Sequence, residues 1–365
     1  MLYLAIDQHR KQLTVNLRDD SGEILVRRQV STRWDRVREF FSWLQKESED
    51  GGGFVTIVEI CGFNQWLLEM LDEYGCRETV LIQPTERSRQ KTDHRDANEL
   101  GELLWVNRQR LLGGRKPQGI RRIVLPSAED AENRQVTELR RRLGAQQTKT
   151  VNKIRHILRK HNLEQECPTK GIDTKAAKKW LAEMPLPAID RLEMDQLLDQ
   201  WRLWEAQLEE VNVTIEARQE KHETACLVAT MPGAGAYTSL ALASRIGSID
   251  RFPTPGSLAN YWGLTPGCRN SGETDRMGSI TKRGSKMARF LLGQMVLHAL
   301  RKDAYMKNWY KKIKKRRGSK VARVAVMRRL TTILWHMLKH NQPYVCGGPQ
   351  EVKRVQSLYG YKQSP

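Results

Sequence analysis

The stretch Leu2-Tyr3-Leu4-Ala5-Ile6-Asp7 decides the fold. Five residues of strand character run straight into a carboxylate. The pattern recurs at Phe54-Val55-Thr56-Ile57-Val58-Glu59, where β-branched residues dominate. Between the two, Leu13 to Leu17 and Glu23 to Val30 flank Asp19-Asp20-Ser21-Gly22, a turn signal that predicts a hairpin. Trp34 to Lys46 places Val37, Phe40, Phe41 and Leu44 on one helical face, and Asn64 to Tyr74 repeats this with Leu67, Leu68 and Leu71. The alternation predicts a mixed α/β layer domain over residues 1–125, with Gly113-Gly114 and Pro117 through Pro126 as its exit linker.

Two more acids join the first two. In Lys91-Thr92-Asp93-His94-Arg95-Asp96-Ala97 the aspartates are three apart, which on a helix puts both on one face. Hard divalent cations such as Mg²⁺ take oxygen ligands, and a metal pair can hold both the attacking and the leaving oxygen of a phosphodiester. Asp7, Glu59, Asp93 and Asp96 would supply those ligands from two strand ends and one helix face. The order of elements resembles that of a ribonuclease-H-type metal nuclease. Each acid taken singly also has a plainer reading: a carboxylate after a strand is an ordinary turn or cap residue, and Asp93 in a first helical turn is favoured by the helix dipole with no metal near.

Charge points the same way. The 365 residues carry 62 Lys and Arg against 42 Asp and Glu, a net +20, and basic surface gains affinity for nucleic acid by releasing phosphate counterions. A membrane surface is the competing polyanion, but no apolar run reaches the ~20 residues of a spanning helix. Met1-Leu2-Tyr3 feeds directly into a strand, so no signal peptide is read there. Cys61, Cys76, Cys167, Cys226, Cys268 and Cys346 lack paired metal spacing and read as reduced thiols of a cytosolic protein.

Beyond the linker, helices replace strands. Ala128 to His161 carries Val136, Leu139, Leu143, Val151, Ile154 and Leu158 at near-helical spacing, and a second stripe runs Leu197, Trp201, Trp204, Leu208, Val211, Ile215. Residues 126–228 therefore read as a linker followed by a helical hairpin or coiled coil, with an irregular loop and a short helix around Cys167 to Pro187. The tryptophans fit either packing or base stacking. Residues 229–345 form a third region, mostly helical, in which Pro232-Gly233-Ala234-Gly235 reads as a helix-hairpin-helix turn or as an ordinary glycine turn. A loop-rich stretch follows, with Gly263-Leu264-Thr265-Pro266, Asn270-Ser271-Gly272 and Thr281-Lys282-Arg283-Gly284-Ser285-Lys286. Residues 301–330 hold thirteen Lys or Arg against the single acid Asp303, a block that is either a solvated face or a phosphate-binding one.

In this order, Asp7, Glu59-Ile60-Cys61-Gly62, Lys91 through Ala97, Pro232 through Gly235, Gly263 through Pro266 and Asn270-Ser271-Gly272 resemble the DEDD transposases of the insertion-sequence one-ten group, over about residues 1 to 345. Those enzymes are mobile-element recombinases guided by a structured bridge RNA. The resemblance implies an N-terminal RuvC-like domain in which Asp7, Glu59, Asp93 and Asp96 bind Mg²⁺ or Mn²⁺, and a C-terminal transposase domain whose nucleophile is Ser271. Partners implied are the guide RNA, donor and target double-stranded DNA, and further copies of the chain in a dimer or tetramer. Two departures are visible: Gln8-His9-Arg10 where relatives often carry a Thr after the first Asp, and Ile60-Cys61 in place of small residues after the Glu. The tail, 346–365, has no assigned counterpart.

The implied chemistry is coherent. A serine hydroxyl is too weak an acid to attack a phosphodiester unaided, so it needs metal or a base. Arg269, Arg276, Lys282 and Arg283 around it, and Lys311, Lys312, Lys314, Lys315, Arg316 and Arg317 in the basic block, are candidate phosphate contacts or plain surface cations. Outside the resemblance, Ser271 before glycine is also a common turn residue. Competing functions are a metal nuclease that uses water, and a non-catalytic RNA- or DNA-binding scaffold. The loop serine among cations argues against the first, and four retained carboxylates, which would weaken phosphate binding in a basic groove, argue against the second.

Overall fold

The computed structural model describes residues 1–83, 93–120, 122–271 and 274–346; the side chains of 93–96, 268–271 and 274–277 also lie outside the description. The chain divides into two compact units, Met1–Leu125 and Pro126–Pro365.

The first unit is a five-stranded mixed sheet between helices. Strands β1 (Leu2–Gln8), β2 (Gln12–Arg18), β3 (Ile24–Ser31), β4 (Phe54–Glu59) and β5 (Cys76–Ile82) lie in the order β3-β2-β1-β4-β5. The hairpin strands β1, β2 and β3 pair antiparallel, whereas β4 joins β1, and β5 joins β4, in parallel. Side chains alternate across a sheet, so β1, β4 and β5 each feed two cores. Leu4, Ile6, Leu13, Val15 and Val58 pack with Phe40, Phe41 and Leu44 of α1 (Trp34–Glu49) and with Leu67 and Leu71 of α2 (Gln65–Glu73). On the other face Tyr3, Ala5, Val55 and Ile57 meet Leu100 and Leu104 of α3 (Asp93–Val106) and Leu111 of α4 (Arg108–Leu112).

The second unit is mostly helical. Two long helices, α5 (Ala128–Lys160) and α7 (Ala188–Lys221), pack along each other, with α6 (Lys175–Glu183) against one end. Ile154, Ile157 and Leu158 meet Met194, Leu197, Leu198 and Trp201 there. Polar Asn133, Thr137 and Thr150 are also buried on α5, while Leu139 is exposed, so the apolar stripe read from the sequence is only part of the packing face. Trp201 is buried under the Lys178 ammonium, 4.7 Å from its ring, and the Trp204 indole donates to Thr150 Oγ1. Trp201 is taken up by packing, and Trp204, half-buried, is tied to α5 by that hydrogen bond.

Helices α8 (Glu223–Ala229), α9 (Ala236–Ile246), α10 (Pro255–Tyr261), α11 (Lys286–Lys302) and α12 (Ala304–His340) complete the unit around one core that includes Trp262, Leu291, Met295, Leu330 and Leu334. One feature differs from the sequence reading. The stretch read as loop contains a hairpin, β6 (Pro266–Ser271) with β7 (Thr274–Ile280). The basic block is helical and broken at Gly318, whose φ of 81° and ψ of 167° leave the helical region. Among the described residues no helix is long and apolar enough to cross a membrane.

The ends of the long helices are joined electrostatically. Lys160 Nζ lies 2.8 Å from both Asp190 oxygens, and His161 Nε2 lies 2.7 Å from Oδ2. These partners, Lys160 foremost, hold the Asp190 carboxyl below its usual range. A depressed carboxylate stabilises the fold above its ordinary range and loses that contribution as pH falls through the lowered value. Asp190→Asn should therefore lower the melting temperature at about pH 7, and the gap from wild type should be smaller at about pH 3, below the ordinary carboxylate value. Melting followed by circular dichroism at the two pH values checks this; a gap that does not change with pH would remove the ion pair from the account.

Candidate active site: an acidic sheet end and a serine-bearing hairpin

The parallel register pairs Ile6 with Val58 as its last rung, and the next residue on each strand is an acid, Asp7 and Glu59. Alternation assigns both to the face that Ala5 and Ile57 present to α3. Helix α3 runs along that face against the direction of β1. Asn98 meets Asn16 and Arg18, Glu102 pairs with Arg18 at 2.7 Å, and the Trp105 indole donates to the Asp20 carbonyl. Asn16 stands opposite Ala5, and Arg18 opposite Tyr3. Followed backwards, the helix brings its first turn, residues 93–96, to the sheet end that carries Asp7 and Glu59. The side chains of Asp93 and Asp96 are outside the described residues.

Polar contacts fix this end of the sheet. His9 Nε2 lies 3.0 Å from Asp7 Oδ2. Buried Gln8 donates to the Phe63 carbonyl at 3.1 Å and accepts from Asn64 Nδ2 at 2.7 Å. Asn64 Nδ2 also donates to the Glu59 carbonyl at 3.1 Å, and its Oδ1 accepts from the Cys61 amide. The turn after Glu59 is thereby bolted to the residue after Asp7. Gln8 and Cys61, the departures noted in the sequence, belong to this bolt. Asn64, as a residue before a helix, gave no signal of it, because its partner is 56 positions away.

The donor set fits a hard divalent cation. Two carboxylates share one face, and beside them Thr14, opposite Asp7 in β2, has a buried hydroxyl with no hydrogen-bond partner among the described residues. Among the described residues no three His, Cys, Asp or Glu side chains gather as a metal centre; the side chains of Asp93 and Asp96 are not among these.

In the second unit, Ser271 ends β6 and pairs in register with Thr274. Its side chain, with those of Arg269 and Arg276, is outside the described residues, although the backbone register sets Arg269 opposite Arg276. The hairpin's base is better defined. Gly263 has φ +68°, and a Cβ there would stand 2.1 Å from the Arg283 carbonyl oxygen; Gly284 has φ +84°, and its Cβ would stand 2.0 Å from the Tyr261 carbonyl oxygen. Only glycine allows two backbones this close. The Lys282 amide donates to the Gly263 carbonyl and that of Thr281 to the Thr265 carbonyl. Arg289, held below its usual pKa by burial, donates Nη1 to the Trp262, Arg283 and Gly284 carbonyls at 2.9, 3.1 and 3.2 Å. Sequence reading passed over Arg289.

The other cations stand apart from the hairpin strands. Lys282 and Arg283 are exposed just past β7, and Lys311, Lys312, Lys314, Lys315, Arg316 and Arg317 are exposed on α12 before its break. Gly233, between α8 and α9, has φ +82° and lies so close to His298 that a Cβ would come within 2.8 Å of its ring.

Comparison with known proteins fits both halves. A transposase model of the DEDD, IS110 type matches residues 4–163, and the model described as the Transposase IS116/IS110/IS902 family matches residues 225–311. The transposase for insertion sequence element IS1111A of Coxiella burnetii is 24% identical over 311 residues, 80% of this chain and 79% of that protein. A probable family 20 transposase of Pseudomonas aeruginosa is 23% identical over 347 residues, 93% of this chain and 98% of its own. The pilin gene-inverting protein of Moraxella bovis is 30% identical over 133 residues, 36% of this chain and 41% of that protein. The chain belongs to the IS110 family of transposases, enzymes of DNA strand transfer that use divalent metal.

The glycine contact makes the hairpin base intolerant of side chains. Gly284→Ala should cost at least ~2 kcal/mol of stability, from the left-handed backbone and the forced separation of residues 261 and 284, and should reduce DNA cleavage. Chemical denaturation compared with Gly293→Ala, where a Cβ meets nothing within 4 Å, checks it; equal stability of the two variants would contradict the close approach.

Proposed function

We propose that this transposase cuts and rejoins donor and target DNA through Ser271, guided by a bound RNA. The observation that carries the reading is the convergence of Asp7, Glu59 and the first turn of α3 on one sheet end. The strand order, with an antiparallel hairpin beside two parallel strands, supports a ribonuclease-H-like, RuvC-like domain at residues 1–125. Residues 126–228 serve as linker and helical hairpin or coiled coil, residues 229–345 as the transposase domain with a helix-hairpin-helix element at Pro232 to Gly235, and 346–365 as a tail.

Asp7, Glu59, Asp93 and Asp96 would hold the metal. Bound there, Mg²⁺ or Mn²⁺ would neutralise the phosphate and stabilise a leaving alkoxide. Ser271 Oγ forms a bond to phosphorus, the bond from phosphorus to the 3′ oxygen breaks, and the proton lost by the serine ends on that oxygen. The products are a 5′-phosphoserine and a 3′-hydroxyl. One phosphodiester is exchanged for another, so rejoining needs no ATP. Arg269, Arg276, Lys282 and Arg283 orient phosphates near the serine. RNA guidance is supported by the family resemblance and the +20 charge, with sequence choice left to base pairing. In such enzymes acids and serine act from different protomers, so the working species is an oligomer, acting on the DNA of a bacterial or archaeal cell.

Ser271→Ala should lose cleavage by at least ~10³-fold while retaining nucleic-acid binding, and a stalled wild-type reaction should leave DNA covalently attached through Ser271. Asp7→Ala should also stop cleavage. A denaturing gel of labelled DNA reads both effects. Near wild-type cutting by Ser271→Ala, with no adduct, would replace the serine by water and leave an ordinary metal nuclease.

The cations exposed on α12 are assigned to RNA and DNA. Neutralising Lys311, Lys312, Lys314 and Lys315 together should weaken binding to all sequences and flatten the plot of log affinity against log salt by about 0.9 for each phosphate no longer neutralised. Anisotropy titrations across salt concentrations measure this; an unchanged slope would return the block to plain surface.

A further inference from the structure

A cleft of about 1070 Å³ opens in the second unit between α5, α9 and the segment from Gly284 into α11. Arg140, Arg141, Arg245 and Lys286 line it, against one carboxylate, Glu138. That carboxylate is taken: Arg141 Nε donates to both its oxygens at 2.9 and 3.0 Å. Three cations are left over.

The three are held differently: Arg140 and Arg245 are half-buried and Lys286 is exposed. Arg245 is half-buried, and its Nη1 donates to neutral acceptors, the Ala241 carbonyl at 2.9 Å and Thr137 Oγ1 at 3.2 Å. Burial lowers its pKa and the neighbouring Arg134 charge lowers it further, against a smaller opposing pull from the Glu138 carboxylate. Arg140 Nε donates to Asn212 Oδ1 at 3.0 Å, and its guanidinium lies over the Tyr237 ring at 4.2 Å. Among the described residues neither arginine forms an ion pair. Lys286 is the first residue of a 17-residue helix with no acid in its first turn, where a positive side chain opposes the helix dipole. Desolvated charge without an ion-pair partner is unfavourable; a bound polyanion would relieve this at Arg245 and would also meet the charges of Arg140 and the exposed Lys286.

We propose that this cleft binds the sugar–phosphate backbone of double-stranded DNA beside the serine hairpin. The choice of DNA rests on the reading of Ser271 as nucleophile: the wall formed by Gly284 to Lys286 continues, through Thr281 to Arg283, directly from β7, so a backbone seated there runs alongside the hairpin. Phe290, exposed at the rim, offers a ring against a sugar or base. The site adds to the candidate phosphate contacts Arg140, Arg245 and Lys286, which lie in neither of the cation groups read from the sequence.

The test uses the full-length protein, labelled duplex DNA and a labelled structured RNA, with anisotropy titrations across salt. Arg140→Gln with Lys286→Gln should lower duplex affinity at least tenfold at moderate salt and reduce the salt slope by about 1 to 2, at ~0.9 per neutralised phosphate. Lys179→Gln, an exposed cation on α6, should leave both unchanged. Lys286→Gln alone, at the helix start, keeps the test valid where the double variant fails to fold; it should reduce the slope by about 1. An unchanged affinity and slope in folded variants would overturn the site, and a loss confined to the RNA would overturn its assignment to DNA. Ser271→Ala separates the two readings. If it still cuts, the nucleophile falls while the binding result stands, whereas intact binding in the cleft variants removes the cleft and leaves the serine untouched.

Discussion

The parallel pairing of β1 with β4 is the constraint on which the first unit depends. A hairpin strand and a crossover strand must lie side by side in one register before their last residues are level, and a slip of one residue would send one acid to the opposite face. The sheet resists that slip from both sides. Leu4, Ile6 and Val58 are committed to the core under α1 and α2, and Ala5 and Ile57 to the core under α3. Hydrophobic burial thus places two like charges together, an arrangement that electrostatics alone would oppose. Gln8 and Asn64 then tie the following turn to the same rung, through buried groups that would be costly to leave unpaired.

The second unit solves a comparable problem by other means. A two-stranded hairpin is marginal on its own, yet β6 and β7 pair over residues 266–271 and 274–280. Their base is held by carbonyl oxygens that crowd Gly263 and Gly284, and by one guanidinium that satisfies three carbonyls at once. Behind this lie Trp262 and the core built on α11 and α12. A base held in this way would suit the nucleophile proposed at Ser271, which has to meet a large substrate.

What was legible in the sequence follows the range of the interactions. Asp7 and Glu59 stood out because each closes an apolar run, and α1 and α2 because Val37, Phe40, Phe41, Leu44 and Leu67 repeat at helical spacing; these signals are local. The hairpin at 266–280 was hidden because Pro266, Gly267 and Gly278 are poor strand formers, and because its stability comes from residues 261–264 and 282–289 on either side. The break at Gly318 was masked by surrounding good helix formers such as Lys and Arg. On α5 the buried face includes Asn133, Thr137 and Thr150, which a hydrophobic pattern does not count. The pairing of Asn64 with Gln8, and of Arg289 with the 262 and 284 carbonyls, joins residues that no spacing rule connects.

Acids and cations in this chain divide the work of meeting a polyanion. A net +20 draws nucleic acid to much of the surface, but such a field cannot by itself decide which phosphate is cut. That selection needs a place where the sign reverses. At the carboxyl end of β1 and β4 two carboxylates sit together on one face, where DNA phosphate would be repelled unless a divalent cation lay between. In the second unit the opposite holds, with Arg140 and Arg245 half-buried and outside any ion pair among the described residues. On the proposed reading, the first arrangement would accept phosphate only with metal, and the second would favour it without. Binding and cutting can therefore be set by separate residues, which is what an enzyme needs if it is to hold several strands and open only the chosen one.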